Sequence, residues 1–511
     1  MLKFREYFRG VAQRVEFLPA LPVLTAAALW LPGAASSLWR DEAATFWIIK
    51  DSWAAAFERA TTFQEWSPAY FLPLKAWISI FGKSELALRA PSLAAAAVSA
   101  YALYLLGKRL KDGETGLLAA LAFAASETAA FHAADARPYA IALAFGILST
   151  LNIVALLDEN KTKNLAAYVL FSALAVYSHI TFAALPAAHA LYCGFRYYRE
   201  RRPAAKIVSA HALLVLLLLP LAGPAGRILD RASSLMFARI PTAADLLHAA
   251  VPLPLAIGLA AGLLTAGGFR SRLEKLRSFP VQALVLAAGL AFLPPLAFFL
   301  VCRFAAAKIW VARYFFYSQA GAALCAGILL RTLEPWQTRR VAAAAVAAAA
   351  LLSCGRLAHV NEDWRAAAQW AGARAELLGV PVILASPYVE ANQPGWPSDP
   401  GRSGYLSAPL AYYPVGARIF TLPEIPGANA ESYLLDGIKT GARGEAGFLF
   451  MAAGGKEYDE WMSRRCRENK FVRTEFKLHG GVSSAVFLPR GSPGKSVFNK
   501  PSVRTPKFGS N

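Results

Sequence analysis

Long apolar runs separated by short polar segments fill the first two thirds of the chain. Most are about as long as a membrane-spanning helix requires, roughly 17 to 25 residues. The sixth and eleventh runs are the shortest. They cover residues 17–38, 89–106, 115–131, 138–157, 165–182, 183–195, 207–225, 249–268, 280–302, 314–330 and 341–355. This pattern predicts a polytopic α-helical membrane protein with about eleven spans.

The pattern changes after residue 355, where the Ala-rich runs stop. The stretches "NEDWRAAAQWAGARAELLG" and "EWMSRRCRENK" have helical periodicity, whereas "VPVILASPY", "GEAGFLFMAAGG" and "SSAVFLPR" are typical of buried strands. We therefore predict a transmembrane domain over residues 1–355 and a compact α/β domain over 356–490. Residues 491–511 are rich in Pro, Gly, Ser and Lys and are predicted to be a disordered tail.

Composition agrees with a membrane protein and charge adds an orientation. Of the 511 residues, 56% are hydrophobic and only 17% charged, and the net charge is +20. Lys and Arg recur before the first run and in alternate connections, so the positive-inside rule places that side in the cytoplasm. These residues include Lys3, Arg5, Arg9, Arg14, Lys108, Arg109, Lys111, Lys161, Lys163, Arg199, Arg270, Lys275, Arg331 and Arg339. The charge is thus a topology signal rather than a nucleic-acid site.

This topology makes the first run an uncleaved anchor with a cytoplasmic N-terminus. An odd number of spans then places the α/β domain outside the cytoplasm, in the periplasm of a bacterial inner-membrane protein. Acidic and basic side chains gather in the outer loops 39–88 and 131–138, and in the segment "CRFAAAKIWVARYFF".

The segment after the first run carries Asp41 and Glu42 and then continues with apolar residues at helical spacing. Phe46, Ile49 and Trp53 share one side of the predicted helix, which favours a helix lying on the membrane surface. Later loops supply the other charged candidates and one tyrosine, namely Asp135, Arg137, Tyr139, Lys308 and Arg313.

Each candidate has a structural alternative. Glu42 would interact favourably with the helix dipole simply because it lies in a first turn. Arg137, beside Tyr139, would serve as an interfacial anchor. His132 and His179 lie near outer run ends, where a lone histidine is more often a loop residue than a ligand. For Asp363, Trp364 and Arg365 the sequence favours a structural role.

Five stretches carry a family resemblance: "WRDEA", "SPAYFLPLKAWISIFGKSELALRAPS", "ADARPYAIAL", "ARYFF" and "NEDWRAAAQW". In this order they resemble the GT-C membrane glycosyltransferases, in the branch that holds protein O-mannosyltransferases and lipid A aminoarabinose transferases. The resemblance extends over residues 1 to 370. It implies a GT-C-like fold and transfer of a sugar, with inversion, from a polyprenyl (undecaprenyl) phosphate carrier to an acceptor at the outer membrane face.

The resemblance also implies roles for the candidates. Such a reaction needs a carboxylate that orients or deprotonates the acceptor, and positive charge that stabilises the departing lipid phosphate. We expect Asp41 to act as the base, with Glu42 and Asp135 positioning the acceptor or a divalent cation. If a metal ion is bound, its ligands are Asp41 and Asp135. Substrate-binding candidates are Arg137, Tyr139, Lys308 and Arg313. The acceptor is a lipid, a polysaccharide or a protein.

The sequence leaves three other functions open. A flippase or transporter for lipid-linked sugars would also be polytopic, but transporters place ionisable residues within spans, and these runs are nearly free of charge. A non-catalytic scaffold for the outer domain would leave the loop carboxylates unexplained. A GT-C polymer ligase is the nearest alternative enzyme.

Overall fold

The computed structural model describes eleven stretches of the chain. They are residues 17–62, 67–201, 204–226, 240–264, 276–304, 308–353, 362–393, 395–427, 429–434, 447–454 and 456–491. The chain forms two compact units. The first unit comprises Met1–Ser37 and Ala44–Val360, and the second comprises Leu38–Ala43 and Asn361–Asn511. The short segment Leu38–Ala43, which contains Asp41 and Glu42, therefore belongs with the C-terminal part of the chain.

Helices form the first unit, with short 3₁₀ turns at Ile180–Ala183, Leu219–Leu221 and Ala312–Phe315. They are α1 (Phe17–Ala34), α2 (Arg40–Ile49), α3 (Trp53–Thr62), α4 (Pro68–Phe81), α5 (Glu85–Leu110), α6 (Gly113–Ala124), α7 (Glu127–Ala133), α8 (Tyr139–Glu159), α9 (Thr162–Ser178), α10 (Ala184–Glu200), α11 (Ala205–Leu218), α12 (Ala243–Ala250), α13 (Leu253–Leu264), α14 (Val281–Phe304), α15 (Ser318–Arg331) and α16 (Trp336–Ser353). Helix α2 begins in the second unit and continues into the first.

Every apolar run predicted from the sequence overlaps at least one of these helices. Four helical segments in the described stretches are long and apolar enough to cross a membrane: α5, α8, Ala205–Gly226 and α14. Two bent pairs, α6 with α7 at 71° and α12 with α13 at 80°, raise the number to six if each pair is one span. The other runs form shorter or more polar helices. Among the described residues, the number of helices that meet this criterion is therefore smaller than the eleven spans predicted.

The segment after Asp41 differs from the single surface helix predicted. It forms two helices, because Ser52 accepts a hydrogen bond from the Ala55 amide (3.1 Å) and caps a new helix. Apolar side chains of α2 are buried within the protein, with Phe46 8% exposed and Ile49 fully buried. Only α3 keeps exposed apolar side chains, Trp53 among them. Helix α2 is therefore an internal element of the protein and not a membrane-surface helix.

Small residues let the helices of the first unit pack closely. The core consists largely of Ala and Leu side chains from α5 to α9 and α14 to α16. Gly116 of α6 lies so near α5 that an added Cβ atom would come within 2.2 Å of the Tyr104 carbonyl oxygen. Contacts of this kind are typical of membrane helices, whose association depends on close backbone approach.

The second unit contains a five-stranded mixed sheet. Its strands are β1 (Val382–Ala385), β2 (Ile419–Leu422), β3 (Phe448–Ala453), β4 (Phe471–His479) and β5 (Val482–Pro489), in the order β2-β1-β3-β5-β4. Strand β1 is parallel to β2 and β3, and β5 is antiparallel to β3 and β4. The helices of this unit are α17 (Trp364–Leu378), α18 (Pro400–Leu406), α19 (Ala408–Tyr412) and α20 (Lys456–Glu468).

Strand β1, in the middle of the sheet, is buried on both faces, which explains its continuous apolar run. Val382 and Leu384 join a core that includes Trp364 of α17. Ile383 joins the opposite core with Met462 of α20. Alternate side chains of a strand point to opposite faces, so helices on both sides make the unit a layered α/β domain.

Strands β2 and β4 were absent from the sequence prediction because both lie at the sheet edges. Strand β4 is exposed over most of its length and buries only its end residues, Phe471 and His479. Such a strand lacks the alternation that identifies a half-buried strand. The predicted disordered tail falls, beyond Gly491, outside the described residues.

Candidate active site

Helix α2 presents Asp41 and Glu42 in its first turn, where negative charge is favoured by the helix dipole. The Glu42 carboxylate is completely buried and accepts a hydrogen bond from the Trp39 amide (3.2 Å). This contact is one half of a capping box, so the alternative helix-capping role of Glu42 has a structural basis. Asp41 is half-buried. The structure thus leaves Asp41 as the more accessible carboxylate of the pair.

Basic side chains hold the far end of α2. Lys75 is buried and donates hydrogen bonds to the carbonyl oxygens of Ile49 (2.9 Å) and Asp51. Arg59 donates to the Trp47 carbonyl oxygen (2.7 Å), and its guanidinium lies 4.1 Å from the centroid of the Trp47 ring. Positive charge at a helix C-terminus satisfies carbonyls that lack partners in the helix. The helix that carries Asp41 is therefore fixed at its C-terminus.

A second group of candidates lies in the first unit, in the turn between α7 and α8. Asp135 is completely buried, and its carboxylate lies 3.3 Å from Nδ1 of His132. The Arg137 amide donates to the Asp135 carbonyl oxygen (2.8 Å). Arg137 is 6% exposed, and its guanidinium donates to the Thr45 hydroxyl of α2 (3.4 Å). Buried charges of both signs in one short turn are costly unless they bind each other or a ligand.

Aromatic rings and two histidines surround this turn. The His132 ring centroid lies 4.8 Å from that of Tyr139 and 4.6 Å from that of Phe316. Tyr139 in turn packs against His179, with 4.7 Å between ring centroids. His179 lies near Tyr314, at 6.0 Å. Three segments that are far apart in sequence therefore meet around His132, Asp135 and Tyr139.

The two basic candidates from later in the chain, Lys308 and Arg313, differ in their surroundings. Arg313 and Arg137 both lie near enough to His132 to act on its ring electrostatically. Arg313 is half-buried, and its guanidinium lies 5.9 Å from the Tyr314 ring centroid. Lys308 is exposed, and no hydrogen bond or ion pair between described residues joins it to this cluster. Of the predicted substrate-binding residues, the structure thus brings Arg137, Tyr139 and Arg313 together around His132.

The predicted metal ligands do not form a cluster in the described stretches. Across residues 17–62, 67–201 and the later described segments, no three His, Cys, Asp or Glu side chains converge on a point that fits a metal ion. Asp41 belongs to the second unit and Asp135 to the first. Binding of a divalent ion remains a prediction.

Sequence reasoning did not assign a site role to the two histidines, although both take part in the cluster. His132 and His179 are 4% and 1% exposed. His132 could have been recognised from its position. It precedes Asp135 by three residues, and residues three apart are neighbours within one helical turn. Nothing in the sequence links His179 to Tyr139, because their contact joins separate helices.

The chain resembles known proteins in part of its sequence and in its fold. Residues 66–222 match the dolichyl-phosphate-mannose-protein mannosyltransferase family. ArnT from Cupriavidus metallidurans in the apo state has the same fold, with a TM-score of 0.55 at 10% identity over 93% of this chain and 98% of that chain. The chain is thus similar in sequence to a mannosyltransferase family over residues 66–222 and similar in fold to ArnT. Both the predicted resemblance and the polytopic membrane fold are confirmed.

A second ArnT structure has the same fold. ArnT from Cupriavidus metallidurans bound to undecaprenyl phosphate has a TM-score of 0.53 at 10% identity, again over 93% of this chain and 98% of that chain. A comparison with curated proteins gives no sequence match. At 10% identity these structures establish the fold of this chain alone and not its substrates.

Proposed function

We propose that this protein transfers a sugar from undecaprenyl phosphate, or a related polyprenyl phosphate, to an acceptor hydroxyl or phosphate at the outer face of a bacterial inner membrane. The fold and the matched family support a lipid-phosphate donor, since the ArnT structure above binds undecaprenyl phosphate. The single observation that carries the proposal is the buried turn of the first unit, where the Asp135 carboxylate lies 3.3 Å from His132 and Arg137 donates to Thr45.

In the proposed reaction Asp41 removes the proton from the acceptor. The acceptor oxygen then bonds to the anomeric carbon of the sugar, from the face opposite the carrier. The bond between that carbon and the phosphate oxygen breaks, and its electron pair leaves with the polyprenyl phosphate. Attack from the opposite face inverts the configuration at the anomeric carbon.

The basic residues have the complementary role. Arg137 and Arg313 stabilise the negative charge that develops on the phosphate, because the planar guanidinium group matches two phosphate oxygens. Lys308, which is exposed, supplies a further charge for the carrier headgroup. Asp135 and Tyr139 orient Arg137 and the sugar, and Glu42 keeps the first turn of α2 in place.

Transfer of labelled sugar tests the proposal directly. We expect membranes with the wild-type chain to move label from a polyprenyl-phosphate sugar to an acceptor, and Asp41→Asn to reduce this rate by about 10²-fold or more, the usual loss for a general base. Glu58→Gln is the matched control, because Glu58 is an exposed carboxylate of the neighbouring helix α3. It should retain the wild-type rate.

Two outcomes would contradict the proposal. Equal transfer by Asp41→Asn and wild type, with both proteins inserted at the same level, would remove Asp41 from the reaction. Movement of labelled carrier across the bilayer without any transfer would favour the flippase alternative.

A further inference from the structure

The segment Leu38–Ala43, which carries Asp41, is bound by side chains of the second unit through its backbone. The Leu38 amide donates to the Tyr413 hydroxyl (2.9 Å), and the Arg40 amide donates to the Glu362 carboxylate (3.0 Å). The Tyr388 hydroxyl donates to the Arg40 carbonyl oxygen (2.6 Å). These three hydrogen bonds fix the backbone path directly before Asp41.

The Arg40 side chain strengthens this attachment. Its guanidinium donates to Oε1 of Glu362 (2.6 Å) and to the Pro387 carbonyl oxygen (3.0 Å). Glu362 is only 7% exposed, and its other oxygen also accepts from the Trp364 indole nitrogen (2.9 Å). Burial alone would lower the pKa of Arg40, but the Glu362 carboxylate outweighs it and raises that pKa. The Arg40 guanidinium therefore stays charged.

These contacts have no counterpart in an ordinary loop. An exposed ion pair contributes little to stability. This one is partly buried, joins residues 322 positions apart and involves both the backbone amide and the side chain of Arg40. Tyr388 is also buried, and burial together with the charges of Asp41 and Glu362 raises the pKa of its hydroxyl well above the usual value. The hydroxyl thus remains a proton donor to the Arg40 carbonyl oxygen.

We propose that Glu362 and Tyr388 are positioning residues for the transfer reaction, which hold Asp41 at the reacting centre by binding Arg40. This inference rests on the proposed function of Asp41. It gives the C-terminal α/β domain a part in catalysis: the domain binds the residue next to the base, so a disturbance of Glu362 displaces Asp41 without removing it. A misplacement of about 1 Å is enough to slow an enzyme substantially.

Kinetics of Glu362→Gln and Tyr388→Phe in the full chain test the proposal. We expect each to lower kcat for sugar transfer by roughly ten- to a hundredfold while KM for the donor stays within about twofold, as for loss of positioning rather than of binding. The matched control is Arg374→Gln. It breaks the ion pair of Arg374 with Glu475 (2.8 Å), which lies in the same unit but does not touch Leu38–Ala43.

Hydrogen exchange supplies a readout that is independent of activity. In Glu362→Gln the amides of Leu38–Ala43 should exchange faster than in wild type, and in Arg374→Gln they should not. Faster exchange with unchanged kcat would overturn the positioning role, as would unchanged exchange in Glu362→Gln. If the wild-type chain transfers no sugar, the proposed function fails, and exchange still decides whether Glu362 anchors the segment.

A separate observation concerns a cleft of about 600 Å³ between α20 and the edge strand β4. Its lining residues are Lys456, Asp459, Glu460, Ser463, Arg464, Arg467, Arg473 and Phe476. Four cations thus face two carboxylates, and Asp459 is already bonded by the Ser483 hydroxyl (2.7 Å). Among described residues the four cations form no ion pair, so the cleft has an excess of positive charge.

We infer that this cleft binds an acidic saccharide. Its volume lies within the range of small-molecule sites, and Arg side chains suit phosphate or carboxylate groups. Phe476 is 48% exposed, and the Arg473 guanidinium lies 4.9 Å from its ring centroid, so an aromatic ring and a cation meet in the cleft. The carboxylate of Glu460 supplies an acceptor for sugar hydroxyl groups. Binding at this cleft does not depend on transferase activity.

Titration of the full chain in nanodiscs tests this site with two probes, pentamannose phosphate and unphosphorylated mannopentaose. We expect the phosphorylated sugar to bind at least about tenfold more tightly, a difference of roughly 1.4 kcal/mol. Arg473→Glu should remove most of that preference. Lys477→Glu is the control, since it makes the same charge change on the same strand outside the cleft. Equal binding of both sugars, or equal effects of the two variants, would overturn the inference.

Discussion

One buried cation of the first unit, Arg89, binds several backbone carbonyl oxygens. Arg89 is completely buried and donates to the carbonyl oxygens of Gly33 (3.1 Å), Ala34 (3.1 Å), Ser36 (2.7 Å) and Ser37 (3.0 Å). These groups lie at and after the end of α1, where carbonyls lack helical partners. A single side chain therefore fixes the chain where it leaves the first span, directly before the segment of Asp41.

Replacing Arg89 by Met should be strongly destabilising. The change leaves several buried carbonyl oxygens without donors, each of which costs about 1 to 3 kcal/mol. We expect a loss of about 3 kcal/mol or more in the free energy of unfolding, measured in detergent by denaturant titration. Arg109→Met serves as the comparison, because Arg109 is more exposed and binds Asp158 and Glu159. Its loss should stay below about 1 kcal/mol, and equal losses would contradict this account of Arg89.

At the scale of whole elements, close approach between helices depends on glycine. A Cβ atom added to Gly321 of α15 would lie 2.2 Å from the Ala291 amide nitrogen of α14 and 2.4 Å from the Leu290 carbonyl carbon. Backbone atoms cannot move aside as a flexible side chain does. The α14–α15 contact is therefore set by one residue without a side chain.

Gly321→Ala should separate the two helices and destabilise the protein by about 1 to 3 kcal/mol, the usual cost of overpacking. Gly194→Ala is the control, because an added Cβ in helix α10 meets no atom within 4 Å. That change should be neutral or stabilise by about 0.5 to 1 kcal/mol, since alanine favours the helix. Thermal unfolding of the two variants in detergent measures the difference. A stable Gly321→Ala protein would show that α14 shifts to accommodate the methyl group.

At the scale of the whole molecule, one titratable group makes the second unit sensitive to acid. His479 ends strand β4 and is 8% exposed, and its backbone carbonyl accepts from the Asp363 amide (3.3 Å). Burial, with the nearby charge of Lys477, lowers the pKa of His479 below its ordinary value of 6.5. The folded state therefore binds this proton less readily than the unfolded state.

The sign of the pH effect follows from this difference. Because the unfolded chain takes up the proton first, stability falls as pH decreases from 6.5 towards the lowered pKa. We expect His479→Gln to flatten this part of the curve, measured as the unfolding free energy of the full chain against pH. An unchanged slope in the variant would assign the acid sensitivity to other groups.

The membrane topology of the chain can be tested by labelling exposed positions. The charge pattern places the loop of Lys161 in the cytoplasm and the C-terminal domain outside. A membrane-impermeant maleimide should therefore label Arg402→Cys in cells with an intact inner membrane, and Lys161→Cys only after permeabilisation. Both positions are exposed, so access to the reagent depends on the side of the membrane. The reverse labelling pattern would invert the proposed orientation and place the reaction in the cytoplasm.

The sequence by itself determined the features that depend on local composition. Hydropathy located the helical segments, because a chain in lipid must satisfy its backbone groups within each segment. Continuous apolar runs identified the buried strands β1, β3 and β5. The motif "WRDEA" marked the start of α2, because an acidic first turn is a local property.

Only the tertiary structure decided which side chains meet. The contact of Tyr139 with His179 joins separate helices, and the bond of Arg40 with Glu362 joins distant parts of the chain. The break of the predicted surface helix at Ser52 and the burial of α2 also follow from packing. Periodicity reports one element at a time, whereas these contacts depend on how several elements pack. For that reason the sequence indicated Asp41, and the structure identified what holds it.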